Sequence, residues 1–192
     1  MLAWVFPVFG NVTHEKIKVK APFEMPAITI PDFRKCQTFS IVDFGAVQGD
    51  KLKTSKAIAS AISAANQAGG GTVVIPAGEW LTGKVHFKSN VNLHLSKGAV
   101  LLFDDNPNDY LPAVQTSWEG MECMNYSPLI YAWKCKNIAI TGSGTIKAQM
   151  ELWQTWAGRP RPHMNSLKRL YDMSYLNTPL EERLMVNDTA HL

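Results

Sequence analysis

From Thr72 to Ile146 the chain consists of short aliphatic segments that follow one another with no helical periodicity between them, and this restricts its folding more than any other feature. Thr72 to Ile75, Leu81 to Phe87, Val91 to Leu95, Val100 to Phe103, Leu129 to Ala132, Ile138 to Thr141 and Gly144 to Ile146 are the candidate strands, punctuated by Gly, Asn or Ser. Segments this short cannot bury a face alone; they become stable when each lies against its counterpart in the next circuit of a solenoid. Two of them share a pattern. Asn90 precedes Val91-Asn92-Leu93-His94-Leu95 and Asn137 precedes Ile138-Ala139-Ile140, with apolar residues at every second position. A β-sandwich predicts longer strands and Asn-Gly or Asp-Gly hairpin turns, and neither dipeptide occurs.

The flanks read differently. Ala57, Ile58, Ala61, Ile62 and Ala65 recur at helical spacing after a polar turn, Gln48 to Lys53, with Thr54 or Ser55 as the expected cap. The stripe is narrow and made of small residues, which suits close packing on the end or side of a sheet. Gly69, Gly70 and Gly71 stop this helix. Before it, Phe39 to Phe44 reads as a short strand closed by Gly45, and Lys16 to Pro31, with Pro22, Pro26 and Pro31, reads as an extended lead-in. Met1 to Gly10 is almost wholly apolar, so it is either the tail of a signal peptide, which implies a secreted or periplasmic protein, or an apolar strand or tag packed on the body. Residues 1–38 are thus read as an apolar signal remnant and lead-in, and residues 39–192 as the body, with a long loop excursion from about 150 that is partly helical from Thr178 to Leu184.

Composition excludes several function classes. The 192 residues, 46% hydrophobic and 18% charged, can bury the core of one ordinary domain. A net charge of +3, with Lys and Arg scattered, leaves no electrostatic footprint for nucleic acid. No apolar run approaches the roughly 20 residues that cross a bilayer. Cys36, Cys123 and Cys135 show no CxxC spacing and no His at a zinc-finger interval, so no metal and no cofactor is expected. Buried thiols are the expectation, with a Cys123–Cys135 disulfide as the alternative in an oxidising compartment.

Several motifs occur together in a familiar order. Phe39-Ser40-Ile41-Val42-Asp43-Phe44-Gly45-Ala46, the helix, and Gly69-Gly70-Gly71-Thr72-Val73-Val74-Ile75-Pro76-Ala77-Gly78 resemble the start of the pectin-lyase-like β-helix. Trp80-Leu81-Thr82-Gly83, Trp118-Glu119-Gly120, Tyr126-Ser127-Pro128-Leu129-Ile130-Tyr131-Ala132 and Asn137-Ile138-Ala139-Ile140-Thr141-Gly142-Ser143-Gly144-Thr145-Ile146 resemble the polygalacturonases, family 28 glycoside hydrolases. The resemblance covers roughly Phe39 to Trp153.

It implies an all-β fold, a right-handed single-stranded parallel β-helix with an N-terminal helix cap and an incomplete C-terminal end. It further implies hydrolysis of pectic, galacturonan-type polysaccharide with inversion. Inversion requires an acid and a base on carboxyls roughly 6.5 to 9.5 Å apart. In this family three Asp residues in Asn-x-Asp and Asp-Asp motifs do that work, supported by Gly-His-Gly and Arg-x-Lys. Here Asn-x-Asp, Gly-His-Gly and Arg-x-Lys are absent, and Asp104-Asp105 stands too early in the order. The sequence also departs from the family at Lys147-Ala148, where an Asp-Gly is usual, and at Ser117, where many relatives have Arg. The expectation is therefore the N-terminal part of such an enzyme, inactive in isolation, with no catalytic residue of its own; the alternative is a non-catalytic β-helix module that binds carbohydrate or builds an assembly.

Trp118, Glu119, Trp153 and Trp156 are the candidates for sugar contact, because aromatic faces pack on pyranose rings and a carboxylate accepts hydroxyl hydrogen bonds. Arg159 and Arg161, with His163, are candidates for a uronate carboxylate. The competing reading is core or loop packing for each Trp and loop solvation for the arginines. Asp104 and Asp105 lie in a turn composition that favours solvated carboxylates, and Glu181 and Glu182 are helix neighbours that do not face each other. His86 and His94 are read as exposed or hydrogen-bonded strand residues. A last coil without a neighbour exposes strand edges and core, so self-association is expected unless Ser166 to Leu192 folds back as a lid.

Overall fold

The computed structural model describes residues 11–186. The apolar Met1–Gly10, and with it the choice between signal remnant and packed strand, lies outside the described residues, as does 187–192. β1 (Thr13–Ile17) and β2 (Ile28–Asp32) pair antiparallel, so the lead-in closes on itself as a hairpin rather than running simply extended. β3 (Gln37–Ser40) gives way to a 3-10 turn over Ile41–Phe44, ended by Gly45 at φ +88°. The strand expected over Phe39 to Phe44 is therefore displaced towards the N-terminus, because the chain bends at once to carry buried Ile41 towards the helix that follows.

That helix, α1 (Lys51–Gln67), buries the expected stripe of Ala57, Ile58, Ala61, Ile62 and Ala65. Its cap is Asp50, not Thr54 or Ser55: the Asp50 carboxylate accepts the Lys53 N–H at 3.0 Å. Thr54 instead donates to the Val47 carbonyl at 2.8 Å, and Ser55 Oγ accepts the Gly83 N–H at 2.9 Å.

The strands then repeat in a circuit. β4 (Gly71–Ile75), β5 (Gly78–Thr82) and β6 (Val85–His86) make one course, and β7 (Val91–Leu95) and β8 (Ala99–Phe103) begin the next. An antiparallel hairpin of β9 (Val114–Trp118) and β10 (Met121–Asn125) intervenes before β11 (Ile130–Tyr131), β12 (Ile138–Gly142) and β13 (Thr145–Ala148). Three parallel sheets result, ordered β3-β4-β7-β12, β5-β8-β13 and β6-β11. The expected strand Leu81 to Phe87 is split at Gly83-Lys84, where the chain turns from the second sheet to the third.

Period-2 alternation sends Val73, Ile75, Leu93, Leu95, Leu101 and Phe103 inward, where each is almost fully buried, and α1 covers the end of this core. Each such side chain contributes about 1.5–3 kcal/mol. Asn90 and Asn137 stack at one corner, with Asn137 Nδ2 donating to Asn90 Oδ1 at 2.9 Å and both residues at positive φ, 65° and 52°. On the outermost course Ile138, Ile140 and Ile146 are 36%, 48% and 41% exposed.

Two long insertions leave the coil at the same corner, one after β8 and one after β13. Equivalent corners of successive courses lie next to each other, so the insertions meet. The second contains α2 (Arg161–Tyr175), where the sequence reading expected a loop. Pro160 and Pro162 look like breakers but stand at its first turn, where a missing N–H costs nothing, and His163, Ser166, Leu167 and Leu170 then bury one face. Thr178 to Leu184 holds a 3-10 turn, Leu180–Glu182, and a bridge from Leu184 to Met124 of β10. The tail does fold back, but onto the β9–β10 hairpin: Cys123, Leu170 and Met185 form a buried cluster with Trp118, Met121 and Met173 around it. Up to Val186 it leaves Ile138, Ile140 and Ile146 of β12 and β13 exposed. Cys36, Cys123 and Cys135 are free thiols, without the Cys123–Cys135 bond.

Candidate functional site

The first insertion is clamped before it reaches the hairpin. Lys51 of α1 pairs with Asp104 at 3.1 Å and Asp109 at 2.6 Å, and Lys84 donates to the carbonyls of Asp109 and Leu111. Burial alone would raise the Asp104 carboxyl, but the Asn106 N–H and the Lys51 ammonium hold it below its ordinary value. The Asp104-Asp105 turn is thus a structural anchor. Tyr110 follows, buried, with its hydroxyl donating to the Asp104 carbonyl at 2.5 Å and its own carbonyl accepting the Ser127 N–H at 2.9 Å. The second insertion contributes Trp153, edge-on to Tyr110 at 5.7 Å and to Tyr126 at 6.3 Å between ring centroids.

Together these groups enclose a hollow of about 390 Å³, with Tyr110, Trp118, Tyr126, Met150 and Trp153 as its apolar wall and Thr116, Ser117, Asn125 and Ser127 among its polar groups. Among the described residues no Asp or Glu lines it. The indole N–H groups of Trp118 and Trp153 are buried without an acceptor among the described residues, so these rings act here through their faces and edges. Trp118 also meets buried His163 edge-on at 5.8 Å.

The candidate residues divide. Trp118 and Trp153 line the hollow. Glu119 and Gly120 form the two-residue turn between β9 and β10, at φ +47° and +85°. Glu119 accepts the Tyr171 hydroxyl at 2.8 Å and Arg159 Nη2 at 3.4 Å, which fastens α2 and the preceding loop to the hairpin tip. That hydrogen bond raises the Tyr171 phenol above its ordinary value. Arg159 is therefore paired with protein, and Arg161 opens α2, exposed; neither lines the hollow. The side chain of Trp156 lies outside the described residues. His86 is hydrogen-bonded to Ser127 at 2.8 Å and His94 to Thr141 at 2.9 Å, and neither joins a metal-ligating group; among the described residues there is no cluster of three or more His, Cys, Asp or Glu able to hold a metal ion. Tyr110, Tyr126, Ser127 and Met150 were not singled out as site residues, because only the shared corner of two courses brings them together.

A coil of parallel strands carrying an aromatic hollow at one corner defines the class: a mostly β protein with few helices. The chain is 30% identical over 159 residues to a probable polygalacturonase of Vitis vinifera, a match covering 76% of the chain and 32% of that relative. It superposes on the hyperthermoactive exopolygalacturonase of Thermotoga maritima with a TM-score of 0.76 and 34% identity, over 84% of the chain and 38% of that structure. The family 28 exopolygalacturonase of Yersinia enterocolitica matches with a TM-score of 0.50 and 35% identity, over 63% of the chain and 22% of that structure. No family model matches. By sequence and by fold the chain is polygalacturonase-like, and it spans about a third of the length of the curated relative.

Proposed function

We propose that the chain forms the opening coils of a right-handed single-stranded parallel β-helix in a pectin-degrading glycoside hydrolase, and that the aromatic hollow is one wall of its sugar cleft. Right-handedness rests on the strong preference of parallel crossover connections for that hand. The whole enzyme would hydrolyse galacturonan-type chains with inversion, the acid and base standing on coils outside this chain, and would act in a secreted or periplasmic setting where its polymer is met.

One observation carries this reading: an aromatic hollow without a carboxylate, on a coil shared with an exopolygalacturonase. Its rings supply stacking and its hydroxyls and amide supply hydrogen bonds, which is a binding surface; inversion needs two carboxyls it lacks. The isolated chain should therefore bind pectic oligosaccharide without cleaving it. Tryptophan fluorescence during titration with trigalacturonate tests this. A saturable change is expected, with affinity at least tenfold lower in Trp153→Ala, and a flat titration to millimolar ligand would contradict it. A non-catalytic binding module fits the same hollow; hydrolysis of polygalacturonate by the full-length gene product separates the two, with release under the first reading and none under the second.

A further inference from the structure

Behind the hollow, the outer face of the third sheet carries His86 and Tyr131 in register on β6 and β11, with ring centroids 5.1 Å apart. Tyr131 donates its hydroxyl to the Gln115 carbonyl of β9 at 2.8 Å, which fixes the ring tilted at 52° against the imidazole. Ser127 lines the hollow yet is only 5% exposed, and its backbone N–H is fixed on Tyr110. Its Oγ lies 2.8 Å from His86 Nε2 and 2.9 Å from the Pro128 carbonyl.

A serine hydroxyl has one hydrogen and two lone pairs, and a neutral imidazole has one donor and one acceptor nitrogen. Burial first, and the neighbouring Lys84 second, hold His86 below its ordinary pKa of 6.5, which keeps it neutral at neutral pH. Two proton arrangements follow. When Ser127 donates to Pro128, His86 donates to Ser127 and one lone pair stays open. When Ser127 donates to His86, both lone pairs stay open. In each case the only hydrogen is spent inside the protein, so Ser127 meets the hollow as an acceptor.

We propose that Ser127, oriented by His86, accepts a hydrogen bond from a free ring hydroxyl of the bound sugar, so that the hollow selects unacylated over O-acetylated residues. This rests on the hollow being a sugar site, as proposed above. An acetylated oxygen has no hydrogen to give, and Ser127 has none to offer it.

The test compares trigalacturonate with its O-acetylated form by tryptophan fluorescence. The unsubstituted chain should prefer the free form. Ser127→Ala should weaken binding of the free form about tenfold, the worth of one hydrogen bond of about 1.4 kcal/mol, and leave the acetylated form unchanged, abolishing the preference. His86→Phe leaves Ser127 its Pro128 bond but no longer orients it, so the preference should shrink without vanishing. His86→Gln, whose amide reaches the Nε2 position, should restore most of the preference, which a merely structural histidine would not do. If Ser127→Ala does not fold, Ser127→Cys, a weak acceptor, is read in the same way. A preference that persists in the serine variants is steric and overturns the proposal, as does unchanged affinity for the free form. If the unsubstituted chain binds neither sugar, the sugar-site reading falls and this inference with it; if it binds and the variants match it, only this inference falls.

Discussion

Lys51 shows how single side chains set the site. Its ammonium lies between Asp104 and Asp109, and all three side chains are less than a quarter exposed. Lys51→Met leaves two partly buried carboxylates facing each other and releases the turn before Tyr110. A loss of about 1–3 kcal/mol is expected in urea denaturation, between the values for exposed and buried pairs. Trp153→Phe makes the opposite point: it removes an indole N–H that is buried without a partner and keeps an aromatic face, so stability should rise by about 1 kcal/mol while trigalacturonate binding is largely kept. His86 gives a pH dependence. Its folded pKa lies below the ordinary 6.5, so the unfolded chain binds more protons in that window; the contribution to stability is complete above pH 6.5 and is lost as pH falls through the folded value. Melting temperature should fall with acidification below pH 6.5, and His86→Gln should flatten that slope; equal slopes would contradict the assignment. Trp118 and Trp153, singled out in the sequence for their rings, both line the hollow. Glu119, singled out with them, stands at the hairpin tip, where its carboxylate accepts the Tyr171 hydroxyl.

Among the elements, the short strands and α1 could be read because each carries its own periodicity. Asn90 and Asn137 could also be read, as the heads of two strands that prove to be neighbours in one sheet. The β9–β10 hairpin could not, since its turn holds Glu119 at positive φ where Asn or Gly is the usual signal. α2 was hidden by prolines whose effect reverses at a helix start, and its apolar face has meaning only once the hairpin exists to receive it. Asn137→Ala removes the stacked amide hydrogen bond and should cost about 1 kcal/mol. Gly142→Ala should cost more: its φ is +100°, and a Cβ there would lie 1.9 Å from the Leu95 carbonyl oxygen, so β12 cannot keep its register. Urea denaturation of the two variants checks that order.

At the scale of the molecule, Ile138, Ile140 and Ile146 on the outermost course stand in register with buried Val91, Leu93 and Leu101 yet stay exposed, while the chain up to Val186 packs on the hairpin instead. Hydrophobic surface of this kind favours association. Sedimentation velocity should show concentration-dependent oligomers that Ile140→Lys shifts towards monomer. The general course of the fold was accessible from sequence because stacking is local and repetitive; the site was not, because it arises where two insertions far apart in the chain leave one corner. On the proposed reading the chain holds a sugar without the carboxyl pair that would cut it. Reducing-end release from polygalacturonate by the purified chain tests that most directly: release no faster than the uncatalysed blank is predicted, and sustained turnover above the blank would contradict it.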